Sequence, residues 1–304
     1  MSQTLRLVSL LCLLTGCDGI MSTNVIPGTV CHSDDDCDSQ TSLRACVEGV
    51  CADPGCPSGT VYVGAGSFAR GCDASDADCP ASAQPLHTVQ INHALCISTT
   101  ELSVGQYRAC VAAGRCPKST ELRCTLDLAT WTESAGNNEA LPMTCLLWSE
   151  AESACRFQGG RLPTEAEWEK AARGRDGRTY PWGRLQPLGC AAGVNYAGSG
   201  CLLQPWPAVS TSRQGAQLYS ASRAVDMAGN VWEWVTDYYS DSTYRDCAMG
   251  CTDPLGPLSG VTRSRRGGGF QSSQAKELKA WWRDFHTPET ARSDGQGARC
   301  VFPR

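Results

Sequence analysis

The chain has 304 residues, with 26 Lys and Arg against 31 Asp and Glu and a formal charge of −5. That balance leaves no basic footprint, so no nucleic-acid partner is expected. Its 20 cysteines would be hazardous in a reducing compartment and suit an oxidising one. With no CxxC pair and only His32, His87, His93 and His286 beside them, zinc is a poor explanation for them.

At the N-terminus, Arg6 precedes the apolar run LVSLLCLL, which ends at Leu14-Thr15-Gly16-Cys17. The run is too short to span a bilayer and has the shape of a signal-peptide core; no later apolar stretch is long enough to span. Leu-Thr-Gly-Cys resembles a bacterial lipobox, which implies cleavage before Cys17 and a lipid on that residue. Residues 1–16 are then a signal peptide and 17–30 a lipid-anchored tether. With Cys12 and Cys17 set aside, 18 of the 20 cysteines remain, an even number compatible with disulfides throughout. Residues 31–56 begin with four closely spaced cysteines at 31, 37, 46 and 51, with few large apolar side chains between them. They read as a disulfide-stapled mini-module of undetermined connectivity. The acidic run Asp34-Asp35-Asp36 reads as a solvated face.

From residue 57 to 304 the texture is that of a larger domain. TVYVGAGSFARG alternates like a pair of strands around a glycine turn, and HTVQINHALCIS alternates again. Three capping boxes announce helices: Ser103 with Gln106, Ser149 with Glu152, and Thr164 with Glu167, stopped by Gly114, Gly159 and Gly174. Beyond Gly174 the chain is rich in Gly, Ser, Pro and Trp, with short strand-like pieces such as NVWEWV, and RSRR at 263–266 reads as a solvated loop. Short helices among short strands and many loops predict an α+β domain held by disulfides.

GGRLPTEAEWEKAARG, YPWG (180–183), DMAGNVWEW (226–234), RRGGGF (265–270) and ARC (298–300) follow one another in that order. Together with TVYVGAGSFARG, HTVQI and TTELSVGQY they resemble the formylglycine-generating enzyme family, the sulfatase-modifying factors, over about residues 57–304. The resemblance implies an irregular C-type lectin-like fold with little regular secondary structure. It also implies a disulfide between Cys155 and Cys300; the local pairs Cys72–Cys79, Cys110–Cys116, Cys190–Cys201 and Cys247–Cys251 are expected beside it.

The family's enzymes oxidise a peptide cysteine to formylglycine with oxygen and Cu(I), held by two cysteines shortly after an RGGS motif. Thiolates are the soft ligands Cu(I) prefers. Here the first of those positions falls on Ser272. The second falls on Glu277, or nearer Ala275 when counted back from Cys300. No cysteine lies between Cys251 and Cys300, and the motif's serine is Gly269. Copper is therefore not expected. Trp232 and Arg283 match family residues that line the reaction site. The resemblance implies calcium as well, bound by the Asp226 side chain, the carbonyls of Gly229 and Val231, and Glu233, a set of hard oxygens suited to Ca²⁺. A second family site would use Asn195 and the Tyr196 carbonyl, but its aspartate is missing from GSGCLLQPW.

The expected function is recognition rather than catalysis by a lipid-anchored protein of the bacterial cell envelope, periplasmic or on the outer surface. An extended peptide or a glycan would lie against Trp232, Ser272, Trp281, Trp282 and Arg283, by stacking and charge-assisted hydrogen bonds. The alternatives are copper-free oxidation with Glu277 as acid or base, and a structural envelope protein.

Overall fold

The structure is a computed structural model that describes residues 45–47, 50–52, 55–118, 124, 129–187, 189–201, 203–207, 219–285 and 290–304. The chain divides into two units, Met1–Pro54 and Gly55–Arg304. In the first, β1 (Ala45–Val47) and β2 (Val50–Ala52) pair antiparallel, with Cys46 opposite Cys51. The signal-like run, Cys17, the tether, Cys31 and Cys37 lie outside the described residues. The larger unit begins at Gly55, and Cys56 is bonded to Cys96 within it.

In chain order the larger unit carries β3 (Thr60–Val63), β4 (Gly66–Arg70), β5 (His87–Ile91), β6 (Leu95–Ser98), α1 (Val104–Ala112), α2 (Trp148–Phe157) and α3 (Glu165–Arg173). Then follow β7 (Trp232–Tyr238), α4 (Thr243–Asp246), β8 (Cys251–Thr252), β9 (Arg263–Arg266), β10 (Gln296–Ala298) and β11 (Val301–Pro303). Three small sheets result, ordered β11-β6-β3, β4-β5-β8 and β10-β7-β9. The expected hairpin of β3 and β4 does not form. β3 pairs with β6, Val61 opposite Ile97, while β4 pairs with β5, Phe68 opposite Val89, so the glycine turn sends the chain from one sheet into another. Long-range pairing of buried apolar residues outweighs the local turn.

Two helices start where their caps require. Ser103 Oγ accepts from Gln106 N–H at 3.2 Å and Gln106 returns the bond at 2.8 Å; Thr164 and Glu167 do the same at 3.1 and 2.8 Å. α2 differs from its expected start. It begins at Trp148, and Glu150, not Glu152, reaches back to the Leu147 N–H at 2.9 Å. Glu152 instead pairs with Arg156 at 2.7 Å and accepts from Leu162 N–H at 3.1 Å.

One core packs α1 and α2 with Leu102, Met143, Leu162, Trp234 and the Cys155–Cys300 disulfide. A second packs Trp168, Ala171 and Ala172 of α3 against Val63, Leu95, Ile97, Met227, Val235 and Val301. All fourteen cysteines from Cys56 to Cys300 are disulfide-bonded: 56–96, 72–79, 110–116, 124–145, 155–300, 190–201 and 247–251. The RSRR stretch corrects its reading as a solvated loop. It is β9, paired with β7, and Ser264, Arg265 and Arg266 are buried.

Candidate functional site

Beyond β9 the chain turns through Gly267 (φ 92°) and Gly268 (φ 73°), left-handed conformations that favour glycine. A Cβ on Gly268 would also lie 2.7 Å from Leu278, so the turn is packed down on the segment that follows it. At Gly269 a Cβ would approach Trp232 to 3.2 Å, so the missing side chain leaves room for that ring. Ser272 is buried and serves this turn: its hydroxyl accepts from Gly269 N–H at 3.2 Å and its carbonyl from Gly198 N–H at 3.1 Å. Ala275 and Glu277 lie half-buried in a short 3₁₀ turn, Ala275–Leu278. The Glu277 carboxylate accepts from Gln274 N–H at 3.1 Å, so it caps its own turn.

The expected ligand-facing residues separate here. Trp232, at 8 % exposure, lies under the Arg265 guanidinium at 5.1 Å, and Trp282 is half-buried, tilted against Trp281. Trp281 and Arg283 are buried, unlike the exposed cleft positions expected for them. Trp281 is buried against Cys72, Ala83 and Tyr244. Arg283 is buried because its charge is needed elsewhere: Nε and Nη2 donate to Glu165 at 2.7 and 3.0 Å, and Nη1 to the Ser82 and Ser240 carbonyls.

Glu165 is the centre of a buried charge network that sequence reasoning missed. Besides Arg283 it takes Arg266 and Arg70, each at 3.2 Å. One helical turn on, Glu169 takes Arg266 at 2.9 Å, Arg173 at 3.0 Å and the Tyr244 hydroxyl at 2.7 Å. Burial alone would raise the Glu165 carboxyl, but Arg283, Arg266 and Arg70 outweigh it and hold it at about 2. Asp237 beside it is pushed up to about 6 by burial and by the Glu165 charge, although it accepts N–H bonds from Glu165 and Gly256 at 2.7 Å. The legible signal was the i, i+4 spacing of Glu165, Glu169 and Arg173, which puts all three on one helix face.

The structure brings the calcium candidates together in one loop. Asp226 (φ 57°), Gly229 (φ 83°) and Asn230 (φ 61°) take left-handed conformations that fold the chain tightly before β7. Glu233 is fully buried and engaged: Arg299 donates to its two oxygens at 2.6 and 2.7 Å, and the Trp168 indole N–H at 2.6 Å. Glu101 joins from the turn before α1, accepting from Asn230 Nδ2 at 2.8 Å and Val231 N–H at 3.2 Å. Burial, then Asp226 and Glu233, raise the Glu101 carboxyl well above its ordinary value. Among the described residues no three acidic, histidine or cysteine side chains are placed to hold a metal ion together, and Arg299 already balances Glu233, so the case for calcium rests on the hard oxygen donors of the loop alone. The second candidate site fits poorly. Asn195 has a buried side-chain oxygen with no hydrogen-bond partner among the described residues, but the sequence holds no Asp or Glu between Asp176 and Asp226 to accompany it.

A family model described as a sulfatase-modifying factor enzyme 1-like domain matches residues 52–303. The formylglycine-generating enzyme of Streptomyces coelicolor is 36% identical over 173 residues, covering 53% of this chain and 52% of that protein. The inactive C-alpha-formylglycine-generating enzyme 2 of Mus musculus is 32% identical over 192 residues, covering 57% and 54%. The chain thus spans about half the length of the curated relatives it matches. Among solved structures, PvdO from Pseudomonas aeruginosa superposes with a TM-score of 0.63 at 21% identity, over 81% of this chain and 94% of that one. Treponema denticola variable protein 1 gives 0.61 at 19%, over 81% and 95%. These likenesses show the fold: an irregular, C-type lectin-like α+β domain with little regular secondary structure.

Proposed function

From a chain that belongs to the family of the sulfatase-modifying factor enzyme 1-like domain we propose a non-catalytic member, an exported, lipid-anchored protein of the bacterial cell envelope whose larger unit binds an extended peptide or a glycan. The observation that carries this reading is the fate of the thiols. No cysteine lies between Cys251 and Cys300, and every cysteine from 56 to 300 is in a disulfide. A serine hydroxyl at 272 is a hard donor, hardly ionised near neutral pH, and cannot replace a soft thiolate toward Cu(I). The mouse relative named as inactive offers a parallel within the family. Of the expected aromatic residues, half-buried Trp282 is the one left for stacking, since Trp232 and Trp281 are buried. Copper-free catalysis through Glu277 has less support, because that carboxylate is committed to capping the 275–278 turn.

Calcium at the Asp226–Glu233 loop belongs to the proposal. Asp226, the carbonyls of Gly229 and Val231, and Glu233 would hold it, and it would brace β7 and the turn before it. The anchor at Cys17 belongs to it too. Cys17→Ser should abolish lipid labelling and leave uncleaved precursor; unchanged labelling would defeat the lipobox reading.

The catalytic question is settled by incubating the full chain with a sulfatase-type cysteine peptide, with and without added copper, and reading the peptide by mass spectrometry. No formylglycine is expected in either case. An aldehyde product would overturn the non-catalytic reading. Calorimetry on the same peptide tests whether recognition survives without turnover.

A further inference from the structure

The segment that stands where the family holds its metal is fastened by a loop on the far side of the sequence. Cys72–Cys79 closes the stretch CDASDADC. Within it Asp73 accepts from Ser75 N–H at 2.9 Å and Asp76 from Asp78 N–H at 3.0 Å, so the loop's backbone is set by its own aspartate turns. Lys279 reaches across to it: Nζ lies 2.8 and 2.9 Å from the Asp76 oxygens and 2.9 Å from Asp78 Oδ2. The lysine side chain is only 6 % exposed, so its ammonium depends on these two carboxylates. The same ammonium lies 4.9 Å from the centre of the Trp281 ring, and Trp281 packs on Cys72 and Ala83, with half-buried Cys79 and Trp282 against the same cluster. The disulfide is thus both the closure that fixes Asp76 and Asp78 and part of the wall that seats Trp281.

We infer that the Cys72–Cys79 loop is a redox-dependent clasp on residues 271–283, and that opening this one bond loosens the segment and with it the surface around Trp282. The consequence for ligands rests on the binding reading above; the clasp itself does not. A dithiol reductant would open it. One reductant thiolate attacks Cys79 Sγ, the more accessible sulfur because Cys72 is 3 % exposed, and the S–S bond breaks as a mixed disulfide forms. The reductant's second thiolate then displaces Cys79. Two electrons and two protons pass to the protein, which gains two thiols, and the reductant leaves as its own disulfide. Once open, Asp76 and Asp78 sit on a chain no longer held closed. Ion pairs of partly exposed carboxylates do not by themselves repay the ordering of such a loop.

Hydrogen exchange on the full chain, followed in peptides covering 271–285, tests the clasp. Cys72→Ser/Cys79→Ser should raise exchange there by about ten-fold or more while α1 and α2 keep their protection. Asp76→Asn/Asp78→Asn, which leaves the disulfide in place, should do the same. Cys110→Ser/Cys116→Ser, at the end of α1 in the other core, should not. Unchanged exchange of 271–285 in Cys72→Ser/Cys79→Ser, or an equal rise throughout the chain in all three, overturns the clasp. Calorimetry with the sulfatase-type peptide separates the two readings. Binding by wild type that is lost in the first two variants supports the coupling, and binding they retain at full strength overturns it. A wild type that does not bind overturns the peptide reading alone, and exchange still decides the clasp.

Discussion

Glu165 is fully buried and faces three guanidinium groups, those of Arg70, Arg266 and Arg283. Removing its charge strands them in the interior, so Glu165→Gln should cost about 3–5 kcal/mol in urea unfolding. A loss below about 1 kcal/mol would mean that water or another acid takes over. Its neighbour sets a pH dependence of opposite sign. The folded value of Asp237, about 6, lies above its ordinary 3.8, so the native protein holds a proton that the unfolded chain has released. Stability therefore falls as pH rises between those values, by about 3 kcal/mol at most, and is flat above them on this account. Glu165, held at about 2 against an ordinary 4.5, acts the other way: its contribution is complete above pH 4.5 and is lost as pH falls toward 2. Replacing Asp237 by Asn should flatten the decline between pH 4 and 6 in urea midpoints; an unchanged slope would assign it to other groups.

Among the elements, α3 shows how far pattern and environment can part. Its start and stop follow from Thr164, Glu167 and Gly174, and Thr164→Ala should cost about 1 kcal/mol as the cap on the Glu167 amide is lost. Yet every residue of α3 is buried, including Glu165, Glu167, Glu169, Lys170 and Arg173. Arg70 from β4 and Arg266 from β9 cover Glu165 and Glu169, Arg161 takes Glu167, and Lys170 and Arg173 donate to the Gly66 and Gly71 carbonyls. The loop into β7 carries the calcium proposal, and the choice of variant matters there. Truncating Glu233 would strip Arg299 of its anion and destabilise the fold for that reason alone. Asp226→Ala is the cleaner probe. A chelator should lower the melting temperature of wild type and leave that of Asp226→Ala unmoved. A wild-type melt indifferent to chelator would leave only a tight turn.

Over the whole molecule, the disulfides do what a domain with short strands and small cores needs. Cys155–Cys300 spans 145 residues and ties α2 to the strand at the chain's end. Replacing both cysteines by serine should cost about 2–5 kcal/mol, read as a lower denaturation midpoint. A midpoint within error of wild type would show that the paired β6 and β11 hold the C-terminus without it.

The caps of α1 and α3, the absence of a thiol between Cys251 and Cys300, and the ordered motifs that carry the family were legible in the residues alone. Each is local, written within a few residues or in their order. It took the folded chain to show that β3 and β4 enter different sheets, that RSRR is a buried strand, and that Trp281 and Arg283 are turned inward. The folded chain also shows that Lys279 is clasped by Asp76 and Asp78. The physical reason is that a charge or an edge strand takes its partner from wherever the fold supplies one. Arg283 finds Glu165 across 118 residues and Arg70 finds it across 95. A buried guanidinium cannot go without an anion, but nothing within a few residues of Arg283 says which carboxylate will serve it.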